Sequence, residues 1–131
     1  MTDQEKMQIA REIMVAWSRS DMDRVADTFH EDGVLHSVMK EPRKGRESVR
    51  RHIKSVASTK PGNSVQINIK HIGVVDGLVF VERVDRLTVN GVTADVPAVG
   101  VLEIEAGKVK SWLDYYDRET MLRASQGLNV N

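Results

Sequence analysis

Between residues 65 and 116, apolar and polar positions alternate in four runs, separated by Asp76-Gly77, Asn90-Gly91 and Ala106-Gly107. A period of two is the signature of a half-buried strand, because successive side chains point to opposite faces. Asn-Gly and Asp-Gly are strong hairpin signals, since both central residues of a tight hairpin turn need positive φ. The pattern predicts a four-stranded antiparallel meander. In its first strand Val65, Ile67 and Ile69 alternate with Gln66, Asn68 and Lys70, so one face is solvated. The first half of the chain has a different period. Ile9, Ile13, Ala16 and Trp17 fall at helical spacing and predict a helix over 5–18, with Ala10 and Met14 widening its apolar stripe. Ser20, with Asp23 three residues on, reads as the N-cap of a short second helix burying Val25, Ala26 and Phe29. After a break at Asp32-Gly33, residues 34–38 read as a short strand. Residues 46–56 read as a third helix with Val49, Ile53 and Val56 inward. Helices first and an antiparallel sheet afterwards predict an α+β fold, with a curved, mostly antiparallel sheet wrapped on three helices as a cone. With no repeat or linker, residues 1–131 read as one domain.

One face of this meander does not fit an ordinary core. Val79, Val81, Arg83, Asp85 and Leu87 share a face of the second strand, and Trp112, Asp114 and Tyr116 share a face of the fourth. A lone charge is very costly to bury, so an Arg and two Asp on an inward face must pair or line a cavity. Arg83 can hold both carboxylates through its planar fork. Each acid is then pulled down by the cation and pushed up by burial and by the other acid. If the pair shares one proton, one acid donates while the other accepts, which suits acid-base attack on a small polarised substrate. The same three residues also satisfy a purely structural ion network, and spacing leaves both readings open.

Composition narrows the field. The chain has 131 residues, with 19 basic residues balanced by 19 acidic ones, so there is no basic footprint for nucleic acid. The basic stretch from Arg43 to Lys54 reads as the solvated face of a helix. Without cysteine there is no disulfide, thiol nucleophile or Cys-based zinc site. No apolar run reaches the roughly 20 residues of a membrane helix, and the first residues lack a signal-peptide pattern. A cytoplasmic protein with no membrane partner is the expectation. Of the histidines, His36 lies on the early strand as a candidate pocket group, His71 ends the first meander strand, and His30 and His52 read as exposed. None is paired at metal-ligand spacing, so no metal is expected. Trp112 and Tyr116 alternate with Asp114 and are candidates to line a pocket, as is Val81 beside Arg83. There is no Gly-rich phosphate loop, Walker motif or GxSxG.

The run Val79-Phe-Val-Glu-Arg-Val-Asp-Arg-Leu87, followed by Val99-Gly-Val-Leu-Glu-Ile104 and Trp112-Leu-Asp-Tyr-Tyr-Asp117, resembles the limonene-1,2-epoxide hydrolases. These have the nuclear transport factor 2-like fold, shared with steroid isomerases and SnoaL-like cyclases. Phe29-His-Glu-Asp32 and Gly45-Arg-Glu47 fit as well, so the likeness covers nearly the whole chain. The resemblance implies one-step hydrolysis of a small apolar epoxide, without metal, cofactor or covalent intermediate. Asp114 would be the base that activates water, Asp85 the acid that protonates the epoxide oxygen, and Arg83 the group that holds both. It also implies a homodimer formed through the outer sheet face. The family positions its water with a Tyr and an Asn two apart on the early strand, where this chain has Leu35 and Ser37. Ser37 can make one hydrogen bond to water or substrate; Leu35 can make none. The steroid isomerases carry their Asp base near Ser37, and serine there argues against that isomerase chemistry. Two alternatives to the hydrolase stand: isomerisation or cyclisation of an apolar metabolite, and small-molecule binding without catalysis.

Overall fold

The computed structural model describes residues 1–126. Helices α1 (Asp3–Ser18) and α2 (Met22–Asp27) precede strand β1 (Phe29–Ser37) and a two-residue β2 (Arg43–Lys44). Helix α3 (Arg46–Ser55) and a 3₁₀ turn (Ala57–Thr59) lead into β3 (Ser64–Val75), β4 (Leu78–Val89), β5 (Val92–Glu105) and β6 (Lys108–Tyr116). Helix α4 (Arg118–Gln126) follows. The fold is α+β: one curved, unclosed six-stranded sheet in the order β2-β1-β6-β5-β4-β3, with helices packed on its inner face. Among the described residues no helix is long and apolar enough to cross a membrane.

The meander forms as the alternation predicts. Asp76, Asn90 and Ala106 all have φ near +50° (52°, 52° and 51°), each followed by a glycine that is also at positive φ. This is the left-handed pair that matches the twist of a two-residue hairpin. β4 pairs with β3 and β5, and β5 with β6, all antiparallel, whereas β6 takes β1 as a parallel neighbour. The inward faces of these strands meet α1 and α3 in a core that includes Ile13, Met14, Phe29, Ile53, Val79, Leu102 and Val109.

Several details differ from the sequence expectation, each for a physical reason. α1 starts two residues early because Thr2 and Glu5 form a reciprocal capping box, each side chain accepting the other's backbone N–H. Ser20 is not an N-cap: it sits at φ 58°, where its amide donates to the Trp17 carbonyl and closes α1. Asp21 caps α2 instead, its carboxylate accepting from the Arg24 amide at 3.2 Å. Phe29 belongs to β1 rather than to the short helix. Gly33 does not end the strand, but it lies where the β1–β6 register shifts between Phe29 and Val34, and a Cβ there would lie 2.8 Å from the Val109 carbonyl oxygen. Val38 falls beyond β1 and is exposed. The sheet gains β2 at its edge, and a fourth helix, α4, adds to the three expected.

Candidate active site

Arg83, Asp85 and Asp114 come together on the concave face of the sheet. Arg83 projects from β4, is 4% exposed, and is gripped on both sides. Its Nε and Nη2 donate to the two oxygens of Asp85 at 2.9 and 3.2 Å, and its Nη1 and Nη2 donate to the two oxygens of Asp114 at 2.8 Å each. Both pairs are bidentate, the geometry that a guanidinium fork gives and a lysine cannot. Asp85 lies on the same strand two residues on; Asp114 lies two strands away, beyond β5. The span is possible because Gly100, opposite Asp114 on β5, has no side chain. A Cβ there would sit 3.0 Å from Arg83 Nη1 and from Trp112 Nε1, and 3.3 Å from Asp114 Oδ1. Gly100 was not legible as a site residue from sequence: its role depends on which strand lies between the two charged ones.

Asp114 has a third donor. Trp112 Nε1 gives a hydrogen bond to Asp114 Oδ1 at 2.9 Å. The indole is wedged by two rings, edge-on to Trp17 with centroids 5.7 Å apart and stacked on Phe29 at 6.3 Å. These contacts fix the plane of the carboxylate from an apolar base. Burial raises the pKa of Asp85 above the usual carboxylate value; the Asp114 charge adds to this, while Arg83 opposes it. Burial also works against the charge on Arg83, but Asp114 and Asp85 outweigh it and hold the guanidinium ionised.

The triad forms part of the wall of a cavity of about 300 Å³, at the small end for small-molecule sites. Of the residues expected to face a substrate, Leu35, Ser37, Trp112 and Tyr116 line it. Ser37 is paired in register with Asp114 on the adjacent parallel strand, and Leu35 with Trp112, so the two early-strand positions do flank the base. Val81 does not line the cavity. It is fully buried in the main core, one strand repeat too deep, in register with Gly100. His36 points to the other face of the sheet, as regular alternation requires, and is in register with Leu113.

Sequence reading missed the opposite wall. His52 was expected at the surface, but it faces the cavity from α3. The signal was present: Val49, His52, Ile53 and Val56 stand at i, i+3, i+4 and i+7, a single helix face. Lys40, from the turn after β1, and Ser58, from the 3₁₀ turn, also line the cavity. α4 adds Met121 and Leu122, and beneath them Val65, Leu87 and Val96 form a second apolar cluster that Tyr116 and Met121 pack against. The cavity is thus mostly hydrocarbon, with an ionic cluster set into one side.

Comparison with known proteins places the chain in a family and a fold. The family described as "Limonene-1,2-epoxide hydrolase catalytic domain" matches residues 4–126. The chain belongs to the limonene-1,2-epoxide hydrolase family. Among solved structures, this family member is similar to an LEH-like epoxide hydrolase from M. tuberculosis, with 21% identity, a TM-score of 0.80, and 95% of this chain and 91% of that one covered. It is also similar to an NTF2-like protein of unknown function from Burkholderia pseudomallei, at 20% identity and TM-score 0.80, covering 97% and 100% of the two chains. A third similar structure is a provisional SnoaL-like polyketide cyclase from Shewanella putrefaciens, at 18% identity and TM-score 0.78, covering 95% and 97%. At these identities the structures establish the nuclear transport factor 2-like fold.

Proposed function

We propose that this family member hydrolyses a small apolar epoxide in one step, with Asp114 as base, Asp85 as acid and Arg83 as the cation that holds both. Water attacks one oxirane carbon while Asp114 takes its proton. The C–O bond breaks as Asp85 gives its proton to the departing oxygen, leaving a vicinal diol. Each turnover moves one proton onto Asp114 and one off Asp85, so a proton passing back from Asp114 to Asp85 restores the pair. The reaction needs no cofactor. The single observation behind this reading is the Asp-Arg-Asp cluster, in which Arg83 bonds both oxygens of each acid at the wall of an apolar cavity. Asp85 is pushed toward the protonated form that a general acid requires. Asp114 takes three hydrogen bonds, from two Arg83 nitrogens and Trp112 Nε1, which fix its carboxylate at the cavity wall. The hydrocarbon lining favours an apolar substrate and weakens competing solvation around the triad. Trp112, Tyr116, Leu35 and Ser37 would shape the space in which the oxirane lies.

The test is turnover on a panel of small epoxides by the parent and by Asp114→Asn. The variant keeps the shape but takes no proton from water, so its rate should fall by about 10²–10⁴-fold, the usual contribution of a general base. Wild-type turnover by Asp114→Asn would sink the mechanism. One observation favours a second reading: Leu35 lines the cavity in register with Trp112, next to the Ser37–Asp114 pair, and offers no hydrogen bond to a water that Asp114 would activate. An isomerase or cyclase acting on an apolar metabolite would use the same acid-base pair without that water. Conversion of such a metabolite by a parent that turns over no epoxide would select it.

A further inference from the structure

The cavity has a second polar region, which the triad chemistry does not use. His52 on α3, Lys40 after β1 and Ser58 on the 3₁₀ turn contribute to its lining from the helical side and the mouth. Ser58 is buried, Lys40 is exposed, and His52 is half-buried. Neither the Lys40 ammonium nor the His52 imidazole has a side-chain partner among the described residues. Among the described residues the carboxylates in the cavity lining are Asp85 and Asp114, and both are already held by Arg83. The surroundings of His52 are positive: burial depresses its pKa first, and the charges of Arg43 and Lys40 depress it further. A cationic, hydroxyl-bearing region joined to a hydrocarbon cavity suits a molecule with two unlike ends.

We propose that the ligand of this cavity is an amphiphile, an apolar body ending in a carboxylate that docks between Lys40 and His52. This deepens the reading of the cavity as a substrate site and rests on that reading, but not on epoxide chemistry. Lys40 supplies the charge, and the His52 N–H and the Ser58 hydroxyl supply donors. The ligand's other end lies toward the triad, so an oxirane would sit on the hydrocarbon part and not beside the acid group. At roughly 30 Å³ for each water-sized group, the cavity holds on the order of ten heavy atoms, about the size of an eight-carbon acid.

The chain's two tryptophans, Trp17 and Trp112, both line the cavity, so their fluorescence reports occupancy directly. The experiment titrates the full chain with octanoate and with octanamide, which has the same length and no charge, at low and high salt. Octanoate should bind on the order of tenfold more tightly at low salt, the size of one hydrogen bond to a charged group, and the advantage should shrink with salt. In the Lys40→Met, His52→Gln double variant the preference should fall to within about twofold, because octanoate loses much more affinity than octanamide. Lys40→Glu alone, at an exposed site that puts folding at little risk, should reverse it. Equal binding of the two probes by the parent would overturn the proposal, as would binding of neither. Persistence of the preference in the double variant would overturn it as well, because the carboxylate would then be held elsewhere. Neither probe carries an epoxide, so these results stand apart from the turnover screen.

Discussion

At the scale of single residues, the raised pKa of Asp85 has consequences for both rate and stability. General acid catalysis needs its proton, so kcat/KM on an epoxide should fall as pH rises through the folded-state pKa of Asp85, which burial places above the ordinary carboxylate value. A pH–rate profile checks this: an alkaline limb is expected, where a freely ionised pair of acids would give none. The stability effect has the same direction. The folded state keeps the Asp85 proton at pH values where the unfolded chain, with a pKa of about 3.9, has lost it. Stability contributed by this group is therefore present at low pH, declines as pH rises between the two values, and is lost above the folded one. Leu35 and Ser37 make a second residue-scale prediction. They flank Asp114 in register but offer the attacking water one hydroxyl between them. Leu35→Tyr with Ser37→Asn should raise epoxide turnover relative to the parent by constraining the angle of attack, if the larger side chains fit. Rates for folded parent and variant on the same epoxides test it.

At the scale of elements, the three hairpins show what a sequence can and cannot announce. Asp76-Gly77 and Asn90-Gly91 carry residues that tolerate positive φ, whereas Ala106 adopts φ 51° with a Cβ that disfavours it. Ala106→Asn should therefore stabilise the β5–β6 hairpin by about 0.5–1 kcal/mol, measured as an increase in denaturant midpoint without change in slope. The meander and the first and third helices were legible because each carries a long, regular period. The faults lay at the ends and in the short pieces. Ser20 and Asp21 are both plausible caps by type, and only the left-handed backbone of Ser20 decides between them. β2 is two residues long and gains its pairing from β1 alone, so no local pattern marks it. His52 shares the apolar helix face with Val49, Ile53 and Val56, but the basic residues around it give the segment the pattern of a solvated surface. Gly100 and the contact of Trp112 with Asp114 depend on which strands are neighbours, which a one-dimensional pattern does not record.

At the scale of the whole molecule, the outer face of the sheet carries apolar side chains beside the charged Glu82. Phe80, Val101 and Leu113 lie in register across β4, β5 and β6, and Val99 and Tyr115 lie in register one repeat away. Phe80 is 37% exposed and Tyr115 46%. We propose that a second copy of this chain covers this face, forming a homodimer. Sedimentation at micromolar concentration should give a dimer, and Tyr115→Lys with Phe80→Glu should shift it to monomer without loss of fold. A parent that sediments only as monomer would count against the assembly.

The parallel pairing of β1 with β6 also governs how the molecule comes to be folded. β1, with the short β2 on its outer side, joins the meander only through β6, the last strand of the sheet. The hairpins β3–β4, β4–β5 and β5–β6 can close locally, but the early strand must wait for the end of the meander. During synthesis, Ser37 therefore meets Asp114 only after the final strand has left the ribosome, and the cavity gains that wall late. Such a distant closure carries a loop-entropy cost before it returns any contact energy, which slows the last step of folding relative to hairpin formation. A nascent chain stopped before residue 108 would hold Arg83 and Asp85 on their strand without the third member of the cluster, and with one charge pair left incomplete until the chain is released.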